Sequence, residues 1–371
     1  ADGTKINSGG IQIDYYGGIV EQASVARGGI QKIYGTASGT RVASGGRSTV
    51  FAHGSSVGAI VSRAGMFYVG SSTPFGAGLS ATATGTTLNG GADYVSAQAI
   101  ASGTIVNSGG IEHVNGGESI DAIINSGGTQ LVVAETVRFS DHSSSAVHGL
   151  SIGATVNRGG TVVVQHAIAR NTVVKGGRIE LLSQGKAQNL FVLSGGTLVF
   201  AGGTTRGVTM LSGATEIIDS GITVSGLKVG KGVSLVVSSS ATASGTILSG
   251  GTETVRAGGH IGGRVDFKEN STLSVAITGK EMFTASGFAA SDRLDLSNFK
   301  FGPSEAMSFA ENKAKTGGIL TVTDGALTAK VILLGHYVAA GFHRASDHGA
   351  GTVITYRQPA ASHLEITGSP G

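Results

Sequence analysis

Cysteine is absent from the 371 residues. Its absence excludes a disulfide-stapled framework, a thiolate zinc site and a cysteine nucleophile, and it fits export through a narrow pore. Tryptophan is absent too, and prolines number four. Charged residues make up 13% and the formal net charge is +3, so nothing marks a nucleic-acid surface. No run of about 18 apolar residues occurs, which leaves no segment to span a bilayer as a helix. The start at Ala1-Asp2-Gly3, with neither Met nor a charged-then-apolar leader, fits a trimmed or mature chain. At 40% hydrophobic, the sequence is nevertheless too apolar for a disordered chain. Helix-period patterns are hard to find and β-branched residues abound, so strand is favoured.

Glycine is plentiful, with 63 residues against an ordinary share of ~7%, and it is placed periodically. Every 17–19 residues an apolar residue runs into a polar one and then a glycine pair. Val106-Asn107-Ser108-Gly109-Gly110 is the clearest copy. Ile6-Asn7-Ser8-Gly9-Gly10, Ile124-Asn125-Ser126-Gly127-Gly128 and Val156-Asn157-Arg158-Gly159-Gly160 are others. Four residues after the second small residue of each turn stand Asp14, Ile33, Val50, Val69, Val95, Val114, Val132, Val164, Leu181, Phe200, Ile218, Val237 and Val255. All but Asp14 are apolar, and in that first copy Ile11 and Ile13 are expected to carry the apolar character. A short period with one glycine turn per copy means stacked coils. Each coil needs two or three short strands with sharp corners, glycine supplying positive φ at the corners. At ~4.8 Å per layer, about fourteen coils would build a rod of roughly 65–70 Å around inward aliphatic columns.

The repeat is expected over residues 1–279, with insertions near 71–80 and 138–148. Insertions of this kind are where solenoids often place function. From about residue 280 the pattern changes: phenylalanines appear, strand-like runs follow, and Asp324-Gly325 is a hairpin signal. Residues 280–357 are therefore expected to form a β module capping the solenoid, which would otherwise expose unpaired backbone. Residues 358–371, with Pro359 and Pro370, read as a flexible tail. No matching cap is expected at residue 1.

The Val-x-Ser-Gly-Gly copies at this period resemble the AIDA-type repeats of self-associating autotransporter passengers, over about residues 1–275. The resemblance implies a right-handed parallel β-helix on the bacterial surface, acting in adhesion, self-aggregation and biofilm. Some members of that group carry heptose on Ser and Thr. The run from Gly287 through Leu294-Asp295-Leu296 to Ser346-Asp347-His348-Gly349 is similar to a module that in large secreted proteins often precedes a Hint domain.

Two residues before the second small residue of each turn lies a polar column: Ser8, Arg27, Ser44, Arg63, Asn89, Ser108, Ser126, Arg158, Lys175, Ser194, Ser212, Lys231 and Ser249. Stacked in register, it would form an outward stripe able to bind glycan or another chain, or to accept sugars. Polar residues are also what exposed turns need. Glycan-active β-helix enzymes need clustered carboxylates in a groove. The nearest approach here is Glu112-His113 with Glu118 and Asp121, which reads as solvated strand faces and corners. Asp141-His142 with Ser143, Ser144 and Ser145 is a poor triad, because adjacent strand residues point to opposite faces. Asp292 and Asp295 fall short of the six to eight oxygens calcium needs. No cofactor, metal or catalytic residue is expected. The reading that results is an all-β, right-handed parallel β-helix with ~18–19 residues per coil and a C-terminal β cap. It would be a non-catalytic secreted or cell-surface adhesin, whose partners are further copies of itself or host or bacterial surface glycans. The alternatives are a filament or matrix subunit stacking end to end, and a glycan-active lyase or hydrolase.

Overall fold

The computed structural model describes residues 1–70, 80–138 and 144–359. The insertion at 71–79, residues 139–143 and the tail from 360 onward lie outside the described residues. The chain divides into two compact units, Ala1–Ile217 and Ile218–Gly371. No α-helix occurs among the described residues; a single 3-10 turn spans Ala339–Gly341.

In the first unit, most coils consist of one four- or five-residue strand and two shorter ones. Ile30–Ile33, Thr36–Ser38 and Arg41–Val42 form one such coil. Each strand pairs in parallel with its equivalent in the next coil. The column read from the sequence is a true register line: Asp14 partners Ile33, then Val50, Val69, Val95, Val114, Val132, Val164, Leu181 and Phe200 follow. The valines, Ile33 and Leu181 in this line are fully buried. A buried aliphatic side chain contributes about 1.5–3 kcal/mol, and the column repeats that gain in every layer.

The expectation for the first coil is corrected. Alternation along Ile11–Asp14 turns Gln12 and Asp14 toward the interior, while Ile11 and Ile13 are 58% and 40% exposed. Asp14 is buried, and burial raises its pKa.

The two glycines of the turn do different work. Gly127 has φ +72°, the left-handed region that glycine occupies without a Cβ clash. Gly128 does not need that freedom. A Cβ there would stand 2.3 Å from the carbonyl oxygen of Val106 in the preceding coil, so only glycine lets the two backbones approach. The second expected insertion is partly described: Thr129–Arg138 overruns its coil and pairs antiparallel with Ser144–His148.

In the second unit, parallel stacking continues along Val237, Val255, Val275 and Leu296. Thr352–Tyr356 then pairs antiparallel with Arg293–Leu296, so the edge of that last parallel strand is occupied. Ala306–Glu311, Gly317–Asp324 and Leu327–Leu334 form an antiparallel meander. Its second turn falls at the Asp324-Gly325 signal, with Gly325 at φ +57°. Phe309, Tyr337, Phe342 and Tyr356 pack their rings together in this region, with centroids 4.9–6.3 Å apart.

Candidate functional site

The polar turn column lies on the outside, all of it exposed except Ser249, which is half-buried. In the first unit, Ser8, Arg27, Ser44, Arg63, Ser108, Ser126, Arg158, Ser194 and Ser212 each occupy the turn itself. The turns are tied coil to coil, for example by Gly9 N–H to the Gly28 carbonyl, Gly28 to Gly45 and Gly127 to Gly159. Asn89 and Lys175 differ: they end the strands Thr87–Asn89 and Val173–Lys175, in turns shortened by one residue. In the second unit, Lys231 sits in a turn and Ser249 ends the strand Ile247–Ser249 for the same reason.

The asparagines of the turn copies add a second feature to this surface. Asn89, Asn107, Asn125 and Asn157 form a side-chain ladder, each amide donating to the previous Oδ1 at 2.8 Å. Every rung uses the donor and the acceptor of one carboxamide, so the ladder is self-satisfying. It fixes the side chains next to Ser108, Ser126 and Arg158.

The acidic cluster does not lie where the sequence suggested. Glu112 is fully buried, not solvated, because the period of two turns it inward and His113 outward. Inside, Glu112 accepts from Ser119 Oγ at 3.1 Å and from Gln130 Nε2 at 2.7 Å, and Ser151 donates to Gln130 at 2.9 Å. Asp93, its register neighbour, is also fully buried. Burial and then the nearby Glu112 push the Asp93 pKa well up; burial raises Glu112 as well, against the hydrogen bonds it accepts. Outside, Tyr68, Tyr94 and His113 stack face to face at 4.9 and 4.6 Å, and the Arg47 guanidinium lies over Tyr68. Burial against Tyr94 and its surroundings lowers the His113 pKa. The Asp141-His142-Ser143 run lies outside the described residues. Among the described residues, no group of three or more potential metal ligands occurs.

A cleft of about 450 Å³ opens where the two insertions join their coils. Ser80, at the return of the first, and His148, at the return of the second, both line it, together with Gln98 and Glu118. Glu118, expected on a solvated face, therefore stands in a concave part of the surface.

No family model matches the chain, and no curated protein does. Among solved structures, a TibC-catalyzed hyper-glycosylated fragment of TibA matches with a TM-score of 0.58 and 25% identity. The match covers 70% of this chain and 95% of that one. The chain is thus similar in fold and repeat to an AIDA-type passenger solenoid. The Dettilon tailspike protein aligns over 96% of this chain and 82% of its own, at 10% identity and a TM-score of 0.18, too low to inform the reading. The polar features that this solenoid presents outward are the turn column, the asparagine ladder and the cleft.

Proposed function

We propose that this solenoid is a non-catalytic, surface-exposed adhesive passenger that associates with further copies of itself, its serine turns serving as sugar acceptors. The observation that carries this is the outward turn column, repeated on a backbone whose layers are locked in register. Weak contacts repeated at a fixed spacing add up as avidity, with no need of a single deep pocket. The exposed hydroxyls of Ser8, Ser44, Ser108, Ser126, Ser194 and Ser212 are accessible to a transferase, and the TibA fragment to which the chain is similar is hyper-glycosylated. Burial of Asp93 and Glu112 supports the non-catalytic reading, since these two register-paired carboxyls face the interior.

The test is clumping of cells that display the chain. Replacing Arg27, Arg63, Arg158 and Lys175 by Glu recharges the column without touching the core and is expected to abolish or strongly reduce clumping. Undiminished clumping would remove the self-association reading. Intact-mass measurement of natively secreted chain checks the acceptor role: added hexose- or heptose-sized increments support it, and the mass of the unmodified polypeptide counts against it.

A further inference from the structure

Most coils close in 17–19 residues, and the insertions add backbone that coil closure does not require. Ordering each extra residue costs conformational entropy, so a held insertion needs compensating contacts. The described hairpin, Thr129–Arg138 with Ser144–His148, has them. Glu135 Oε2 accepts from the Ala97 N–H at 2.9 Å, and the His148 ring Nδ1 hydrogen-bonds the His166 carbonyl. Val147 packs over Gly116, where a Cβ would come within 3.1 Å of the Val147 carbonyl oxygen. The hairpin is thus pinned across neighbouring coils, and it walls the cleft described above.

The floor of that cleft is set by strand register. Ile100, Glu118 and Leu150 are partners in three successive coils, so one carboxylate is flanked on both sides by aliphatic side chains about 4.8 Å away. Gln98 adds an amide donor and acceptor, and Ser80 adds a hydroxyl. Because the carbonyl of His166 requires a proton on Nδ1 of His148, Nε2 is the ring nitrogen left for a ligand. Among the described residues no Lys or Arg lines the cleft, and Glu118 takes no part in the ion pairs found there.

We propose that this cleft is a saccharide site for an uncharged sugar. A sugar ring combines C–H faces, which the Ile100 and Leu150 side chains desolvate, with adjacent hydroxyls, which a carboxylate and a carboxamide together satisfy as acceptor and donor. An unneutralised carboxylate repels phosphate, sulfate and uronate groups. A lone ammonium would use Glu118 and leave the amide and hydroxyl without a role. A volume of about 450 Å³ falls within the range of small-ligand sites, ~300–1,000 Å³. The cleft is separate from the turn column, so the inference does not depend on self-association.

The experiment is saturation-transfer NMR on the whole 371-residue chain. The probes are glucose, galactose, mannose and N-acetylglucosamine, with glucuronate and Nα-acetyl-lysinamide as charged controls. At least one neutral sugar is expected to bind in the millimolar range, as suits a shallow monosaccharide site. Glu118→Gln is expected to weaken it tenfold or more, the usual loss for a charge-assisted hydrogen bond. Gln98→Ala, at an exposed corner where folding is not at issue, is expected to weaken it severalfold, and Ser194→Ala to leave it unchanged. Four results overturn the proposal: no neutral sugar binding, equal binding of glucuronate, binding of the lysine probe alone, or binding indifferent to both Glu118 and Gln98.

Discussion

At the scale of single residues, the interior carboxyls govern how the protein responds to pH. Glu253 is fully buried, and burial pushes its pKa up to about 8; Glu216, also buried, is pushed up to about 7. In the unfolded chain both titrate near 4.5. Below that pH each is neutral in both states and costs nothing. Between about 4.5 and 8 the unfolded chain releases the Glu253 proton while the folded chain keeps it, so stability falls as pH rises. One such group accounts for about 1.4 kcal/mol per pH unit, and on the order of 3–5 kcal/mol across the window. Denaturant unfolding followed from pH 4 to pH 9 should show this decline, and Glu253→Gln, which cannot ionise, should flatten it. A stability that rises over the same range would contradict the burial of this group. Asp93 and Glu112 act in the same direction, since burial favours their neutral forms and two neighbouring carboxylates cannot both ionise cheaply.

The two glycines of one turn also separate at this scale. Gly127→Ala places a side chain at φ +72°, a conformational cost of about 1–2 kcal/mol. Gly128→Ala drives a methyl group into the Val106 carbonyl of the coil below, a clash that only backbone movement relieves, costing about 1–3 kcal/mol. The second change is therefore expected to loosen the coil interface as well. Hydrogen exchange should report faster amides on Asn125 and Thr129, which donate to Val106 and Gly110 across that interface. Equal exchange in the two variants would deny the close approach its role.

At the scale of elements, the hairpin is the part of the first unit that the repeat does not explain. Its docking depends on few groups, of which the bond from Ala97 N–H to Glu135 is the clearest. A hydrogen bond to a charged acceptor is worth about 1.5–3 kcal/mol. Glu135→Ala should therefore let Ser144–His148 fray while leaving coil stacking intact. Hydrogen exchange is expected to quicken in the hairpin and at Ala97, but not along Val162–Val164. Global loss of protection would mean that the hairpin is part of the core and not an addition to it. The asparagine ladder is the opposite kind of element, since each rung repeats the last and its four asparagines stand in the glycine-turn copies, two of them in Asn-Ser-Gly-Gly.

At the scale of the whole molecule, each unit is a stack in which a coil touches mainly its neighbours, so stability accumulates layer by layer. The second unit ends differently from the way it begins. Its last parallel strand, Arg293–Leu296, is paired by Thr352–Tyr356 running the opposite way, and its meander is closed by the Asp324-Gly325 turn. Arg293–Leu296 itself therefore presents no free ladder, and the outermost strand on that side is Phe342–Ser346. The self-association proposed above rests instead on side chains of the outer faces, which is where recharging the turn column is expected to act.

The sequence by itself determined the stack. Glycine pairs recurring every 17–19 residues, with an aliphatic residue four positions on, permit little besides parallel coils. The column from Ile33 to Phe200 stands in the register that spacing required, because backbone hydrogen bonding admits one offset and burial of the valines selects it. Tertiary structure alone decided which polar residues the interior would accept. Glu112 and Asp14 look like surface residues by composition, yet the alternation of the strand carries them inward, and at Glu112 the same coil supplies the Ser119 partner and the next coil Gln130. It decided the cleft as well. Ser80 and Gln98 stand one 18-residue period apart, but Glu118 lies two positions further on in its coil and His148 follows an insertion, so only the stacking of coils and the folding back of a hairpin bring all four to one opening.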